Sequence, residues 1–167
     1  MLEDAQVRIA VKEDGEKIME MLKNAAMWMQ ENSINQWQYL LNGGDDKEIL
    51  NSITLNETFI VMNDEELIAT FTLSARQSDW DKHIFGEDPE GDSVYLHRLA
   101  LKPVHIGKGL GKEILEWIKE NISTDKTYLK LDCVADNSKL NKFYLVSGFH
   151  YVGETDQHSK YQKKLFA

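Results

Sequence analysis

Between Asp14 and Asn32, apolar residues fall at Ile18, Met21, Leu22, Ala25, Ala26 and Met29, a three-and-four spacing that lines one face of a helix. Asp14 stands where that helix needs an N-cap. Gln6 to Ala10 alternates like a short strand ahead of it. Behind it, a loop carrying Trp37 and Tyr39 runs to Gly43–Gly44, and a short helix is predicted over Asp46 to Ile53. Thr58–Met62 and Leu67–Ser74 read as a hairpin turning at Asn63–Asp64–Glu65. Gln77 to Ser93 reads as a long acidic loop spotted with aromatic residues. Val94–Leu101 is then a strand, Gly109–Asn121 a helix and Thr127–Val134 a strand. Asn137 to about Ser147 forms a helix that stops at Gly148, a residue suited to the left-handed turn that closes helices. Phe149–Gly153 and Lys160–Phe166 are the last two strands.

The strand–helix–strand run in the middle favours a right-handed crossover between parallel neighbours, whereas its flanks read as antiparallel. The expected fold class is therefore α/β, or α+β with a mixed sheet: a central mixed sheet flanked by helices. With no linker and no internal repeat, residues 1–167 are expected to form one domain.

Composition narrows the function. A chain of 167 residues with 42% hydrophobic content has room for a core, and with two prolines and no low-complexity tract it is expected to be ordered. A formal net charge of −9 argues against a nucleic-acid partner and is compatible with cationic amines. The start Met1–Leu2–Glu3–Asp4 has no basic segment ahead of an apolar run, and no apolar run reaches membrane-spanning length, so a cytoplasmic protein without a membrane partner is expected. Cys133 stands alone, which allows no internal disulfide and too few thiols for structural zinc; it is read as a buried strand residue, and no metal is expected.

The chemistry concentrates after Leu99–Ala100–Leu101–Lys102–Pro103, where Ile106–Gly107–Lys108–Gly109–Leu110–Gly111–Lys112 opens into an amphipathic helix. Unpaired N–H groups at a helix start, approached closely where glycine lacks a Cβ, cradle phosphate oxygens. Lys108 and Lys112 lie at the wrong end of the helix dipole for cations, and a local rule broken there suggests an anionic guest. A Walker loop fails, since Glu113 follows Gly111–Lys112 and Ile106 takes the place of its first glycine. A dinucleotide fingerprint keeps Gly107, Gly109 and an acid at Asp132 but places Lys112 where the third glycine belongs. An ordinary glycine-rich turn is the remaining alternative.

These residues resemble the GNAT superfamily of acyl-CoA-dependent N-acyltransferases. The resemblance rests on Leu101–Lys102–Pro103 followed by Gly109–Leu110–Gly111, the family's Gln/Arg–x–x–Gly–x–Gly/Ala turn, with Ile106 in place of the usual Gln or Arg. It rests equally on Asn137, Tyr144 and Gly148–Phe149, spaced as the family spaces its Asn, Tyr and Gly–Phe. The residue-level match runs from about Val94 to Phe149, and the first ~90 residues match only in the order of elements. The resemblance implies a GNAT-like mixed sheet with a parallel strand–helix–strand unit at the cofactor site. It implies transfer of an acetyl group from acetyl-CoA to a primary amine of a small molecule or peptide, by direct attack in a ternary complex.

By the same resemblance, Leu99, Ala100 and Leu101 lend backbone groups to the pantetheine arm. Ile106, Gly107, Lys108, Gly109, Leu110, Gly111 and Lys112 line the pyrophosphate site. Asn137 bonds the pantetheine amides, Lys142 meets the adenosine part, and Tyr144 protonates the leaving thiolate. The residues also allow Tyr144 to be a core aromatic four positions after Leu140. No Glu stands on the central strand to act as base; His97 shares parity with Tyr95 and Leu99 and is a candidate, or else a strand histidine bonded to a nearby loop. Arg98 should point away and pair with a carboxylate. Trp37, Trp80 and Tyr95 are candidate walls of the amine site, while His83, His105, His150 and His158 are expected to be solvated. A non-catalytic acyl-CoA sensor and a dinucleotide-binding enzyme remain as alternatives, and the C-terminal edge strands leave a homodimer open.

Overall fold

The computed structural model describes residues 2–166. Seven strands are hydrogen-bonded in the order β1-β2-β3-β4-β5-β7-β6. They are β1 (Gln6–Ile9), β2 (Thr58–Asn63), β3 (Glu66–Ser74), β4 (Ser93–Leu101), β5 (Tyr128–Val134), β6 (His150–Thr155) and β7 (His158–Lys164). The helices are α1 (Gly15–Glu31), α2 (Asp46–Thr54), α3 (Asp79–Phe85), α4 (Leu110–Asn121) and α5 (Ser138–Val146). The expected mixed sheet is present, with β4 and β5 parallel and the other described pairings antiparallel. No helix among the described residues is long and apolar enough to cross a membrane.

The chain divides into two compact units, the first reaching to Leu73 and including Arg98–Glu116, the second comprising Ser74–His97 and the residues from Trp117 onward. In the first, the predicted face of α1 is buried: Ile18, Met21, Leu22, Ala25 and Ala26 pack with Leu40, Ile49, Ile53, Ile60 and Ala100. Asp14 holds the N-cap position but makes no cap bond; its carboxylate accepts from the Val11 amide at 2.8 Å and pairs with the Arg8 guanidinium at 2.8 and 3.0 Å. The Arg8 hydrogen bond holds the Asp14 carboxyl below the usual range against the opposing effect of burial. The β2–β3 hairpin is registered by cross-strand pairs, with the Thr58 and Thr72 hydroxyls 3.0 Å apart and the Phe59 and Phe71 rings stacked at 5.1 Å.

Arg98, inside β4, departs from strand backbone. Its φ of 51° is left-handed, a conformation that costs a non-glycine residue about 1 kcal/mol or more. Its guanidinium donates to Asp45 Oδ2 at 3.1 Å and to Ser52 Oγ at 2.9 Å, tying the strand to the start and middle of α2. That is the carboxylate partnership expected for Arg98. Alternation counted from Tyr95 does not carry past a left-handed residue, so the parity argument reaches His97 and fails for Leu99. Arg98→Ala is expected to lower the free energy of unfolding by about 2 kcal/mol in denaturant titrations, because two hydrogen bonds, one to a carboxylate, are lost.

In the second unit, β4 pairs with β5 over Ser93–Tyr95, opposite Tyr128–Lys130. β5 then runs antiparallel to β7 over its whole length, and β7 to β6, where the register slips between Tyr151 and Gly153. Leu129, Leu131 and Cys133 of β5 are buried and their neighbours half-buried, as a strand with one covered face requires. The segment read as a loop from Gln77 contains α3. Ser78 caps it by accepting from the Asp81 amide at 3.1 Å, while Asp81 Oδ2 accepts from the Ser78 amide at 3.0 Å, a reciprocal pair.

Candidate functional site

The glycine-rich turn belongs to the first unit. Gly107 and Gly109 have φ of +77° and +91°, values that side chains rarely tolerate, and a Cβ built on either meets nothing within 4 Å. The turn is thus shaped by backbone conformation and stands open. The amide of Glu113 bonds back to the Gly109 carbonyl, but the amides of Lys108, Gly109, Leu110, Gly111 and Lys112 find no acceptor among the described residues. Lys108 and Lys112 are exposed beside them, and Leu110 anchors the helix start in the interior. Ile106, 37% exposed, offers the turn no polar side chain. Such a run of donors, edged by two ammonium groups, suits a diphosphate. Among the strand residues expected to serve the same ligand, Ala100 is buried, whereas Leu99 and Leu101 are half-buried.

Tyr144, Asn137 and Lys142 belong to the second unit. Asn137 caps α5, its Oδ1 accepting from the Leu140 amide at 3.1 Å, which commits that oxygen to the helix. Lys142 is exposed on α5. At the other end, Gly148 has φ +93°; its amide bonds to the Leu145 carbonyl and the Phe149 amide to the Tyr144 carbonyl, each at 3.1 Å. This double closure is a Schellman turn, and its usual apolar contact is present as the edge-on Tyr144 and Phe149 rings, 5.8 Å apart. The Tyr…Gly–Phe spacing therefore has a mechanical basis: the glycine turns the chain so that phenylalanine braces tyrosine.

The Tyr144 ring is buried against Phe143, Phe149 and Tyr161, and its hydroxyl makes no hydrogen bond among the described residues. Burial, then the neighbouring Cys133 and Asp132, pushes its ionisation above the ordinary phenol range, so the proton stays on the oxygen at neutral pH. Burial likewise pushes the Cys133 thiol up to about 12, aided by the Asp132 charge, which leaves it an inert thiol.

His97 is 19% exposed, and its Nε2 lies 3.0 Å from Oδ2 of the buried Asp81. Tyr95 is buried, accepts from Gln77 Nε2 at 3.0 Å and meets the Phe85 ring edge-on. It borders a recess of about 340 Å³ that Gln77, Lys82 and Asp88 also line. Trp80 and Trp37 are not part of that recess. Trp80 sits on α3 rather than on a loop and donates from its indole to Asp132 Oδ2 at 3.1 Å. Trp37, read as an exposed loop aromatic, is packed against the core of the first unit. Two histidines read as solvated also have partners. His158 lies in β7 with Nδ1 3.0 Å from Asp132 and its ring edge-on to Trp80, and His83 reaches Asp156 at 3.0 Å. Asp132, the acid of the dinucleotide alternative, is thus already engaged. Among the described residues no cluster of three or more His, Cys, Asp or Glu side chains could hold a metal ion.

A model of the acetyltransferase (GNAT) family matches residues 16–149. The uncharacterized N-acetyltransferase YesJ of Bacillus subtilis (strain 168) is 38% identical over 160 residues, covering 95% of this chain and 89% of that protein. The crystal structure of a GNAT-family acetyltransferase from Listeria monocytogenes 4b F2365 superposes with a TM-score of 0.82 at 29% identity, covering 96% of this chain and 94% of that one. The PaiA N-acetyltransferase of Thermoplasma acidophilum, solved in complex with coenzyme A, gives 0.73 at 19% identity, covering 96% of this chain and 98% of that one, a likeness of fold. With the mixed sheet, the glycine turn and the braced tyrosine in place, this chain belongs to the GNAT acetyltransferase family.

Proposed function

We propose that the chain is an N-acetyltransferase that moves an acetyl group from acetyl-CoA to a primary amine of a small molecule or peptide, by direct attack in a ternary complex. The observation that carries this reading is the open turn at Gly107 and Gly109, whose following amides have no acceptor among the described residues and so suit an anion. The family membership supports it, as does the coenzyme A held by the Thermoplasma relative. Acetyl-CoA supplies the activated acyl group as a thioester. A cytoplasmic setting belongs to the same reading, and pairing of two copies through the edge strand β6 is compatible with it.

In this mechanism the amides from Lys108 to Lys112 donate to the diphosphate, with the two lysines adding charge. Leu99, Ala100 and Leu101 hold the pantetheine arm through their backbone, the Leu99 N–H facing the carbonyl oxygen where negative charge develops. Asn137 keeps its Nδ2 for a pantetheine carbonyl, and Lys142 meets the adenosine end. Tyr144 Oη, which burial keeps protonated at neutral pH, gives its proton to the departing sulfur. His97 accepts the proton that the amine nitrogen sheds on acylation. The inert Cys133 offers no nucleophile for a covalent acyl-enzyme, which supports direct attack. Tyr95 borders the recess that this reading assigns to the amine, and Trp37 and Trp80 lie outside its lining.

Incubation with acetyl-CoA and a panel of spermidine, lysine, an aminoglycoside and a short peptide should release free thiol with at least one amine. Tight coenzyme A binding without thiol release from any of them would instead favour the sensor reading, which the apolar Ile106 keeps in view.

A further inference from the structure

Asp81 is fully buried, and its carboxylate is unevenly used. Oδ2 accepts from the Ser78 amide at 3.0 Å and faces His97 Nε2 at 3.0 Å, whereas Oδ1 is buried with no hydrogen-bond partner among the described residues. A carboxylate in the interior with one oxygen unsatisfied costs stability, and an asparagine would cap α3 as well without burying a charge. Capping alone therefore does not explain an acid at this position. Retention of a costly group beside a partly exposed imidazole is the pattern of a functional compromise.

An ionised carboxylate can only accept, so the imidazole nitrogen facing it must be the one that carries hydrogen. We propose that Asp81 is a positioning residue that fixes His97 as the Nε2–H tautomer, leaving Nδ1 as the atom that takes the proton from the acceptor amine. This rests on the acetyltransferase reading above. The amine nitrogen bonds to the acyl carbon and one N–H proton passes to His97 Nδ1. The carbon–sulfur bond breaks, its electron pair stays on sulfur, and sulfur is protonated from Tyr144. Solvent then takes the proton from His97 and returns one to Tyr144, so protons balance over the cycle. The negative charge of Asp81 steadies the imidazolium formed midway, as a buried acid does for an imidazole base in hydrolases. α3 is the part that makes this possible: Ser78 caps it, Trp80 ties it to Asp132, and Asp81, the next residue, faces the central strand's histidine.

Asp81→Asn separates the roles. An asparagine oxygen in the place of Oδ2 still accepts from both the Ser78 amide and His97 Nε2–H, so this variant keeps the cap and the tautomer and removes only the negative charge that steadies the imidazolium, whereas Asp81→Ala removes the acceptor as well. With the amine that wild type acetylates, kcat should fall about 30-fold or more, while the KM for acetyl-CoA stays within about two-fold and the melting temperature is equal or higher. Asp81→Asn combined with His97→Gln should be no slower than His97→Gln alone, since the two residues act as a unit. Independently of turnover, 15N NMR of the imidazole should show Nε2 protonated in the wild-type protein and in Asp81→Asn, and a mixture of the two tautomers in Asp81→Ala, where no acceptor faces Nε2. Wild-type kcat in the variant, a loss that merely tracks unfolding, additive losses in the double variant, or an Nδ1–H tautomer in wild type would each overturn the assignment. Absence of thiol release from wild type with every amine would bring down the acetyltransferase reading itself, and is told apart because the tautomer pattern is read without substrate.

Discussion

Tyr144→Phe is expected to lower kcat for thiol release by about 10²-fold or more, within the range for loss of a positioned proton donor. Coenzyme A affinity should stay within about two-fold, because the substitution removes an oxygen and leaves the ring packing against Phe149 and Tyr161. The hydroxyl has no hydrogen-bond partner among the described residues, so the variant forfeits no internal bond and should fold normally, which circular dichroism and a melting curve will show. Steady-state kinetics with saturating acetyl-CoA and amine read the effect directly. Unchanged kcat would return Tyr144 to the status of a core aromatic and remove the proton donor from the mechanism.

The second large effect is expected at the glycine turn. Gly109→Val puts a β-branched side chain at φ +91°, where such residues are genuine outliers, and projects it into the open space above the amides. The dissociation constant for coenzyme A should rise about 30-fold or more, equivalent to about 2 kcal/mol. Titration calorimetry with coenzyme A measures it. The turn is exposed and packs against nothing within 4 Å of that Cβ, so the core should be untouched and the melting temperature should fall only by the few degrees that the strained backbone at this one position costs. An unchanged dissociation constant would show that the diphosphate is held elsewhere.

The sequence carried the regular elements because their periods are strong: the α1 face, the alternation of β5 and the caps of α5 each place several residues in agreement. It also carried the glycine turn and the Tyr144–Gly148–Phe149 spacing, since backbone conformation there demands particular residue types. α3 escaped because seven residues in an acidic segment give too few apolar positions to show a period, with Ile84 its sole buried hydrophobic residue. The cue was present as Ser78 followed three positions later by Asp81. With α3 unseen, Trp80 read as a loop aromatic, and the partner of His97 stayed hidden in the acidic segment. Asp14 shows the opposite failure: the residue suits a cap, but Arg8, distant in pattern and near in space, claims its carboxylate. The left-handed backbone at Arg98 has no local signature, because it is imposed by tertiary bonds to Asp45 and Ser52.

The chain's single cysteine has a practical corollary for measuring catalysis. Cys133 is 2% exposed, and its ionisation lies near pH 12, so almost none of it exists as the reactive anion under assay conditions. A chromogenic disulfide reagent added during turnover will therefore develop colour from liberated coenzyme A alone, without consuming or inactivating the protein, and the reaction can be followed continuously in one cuvette.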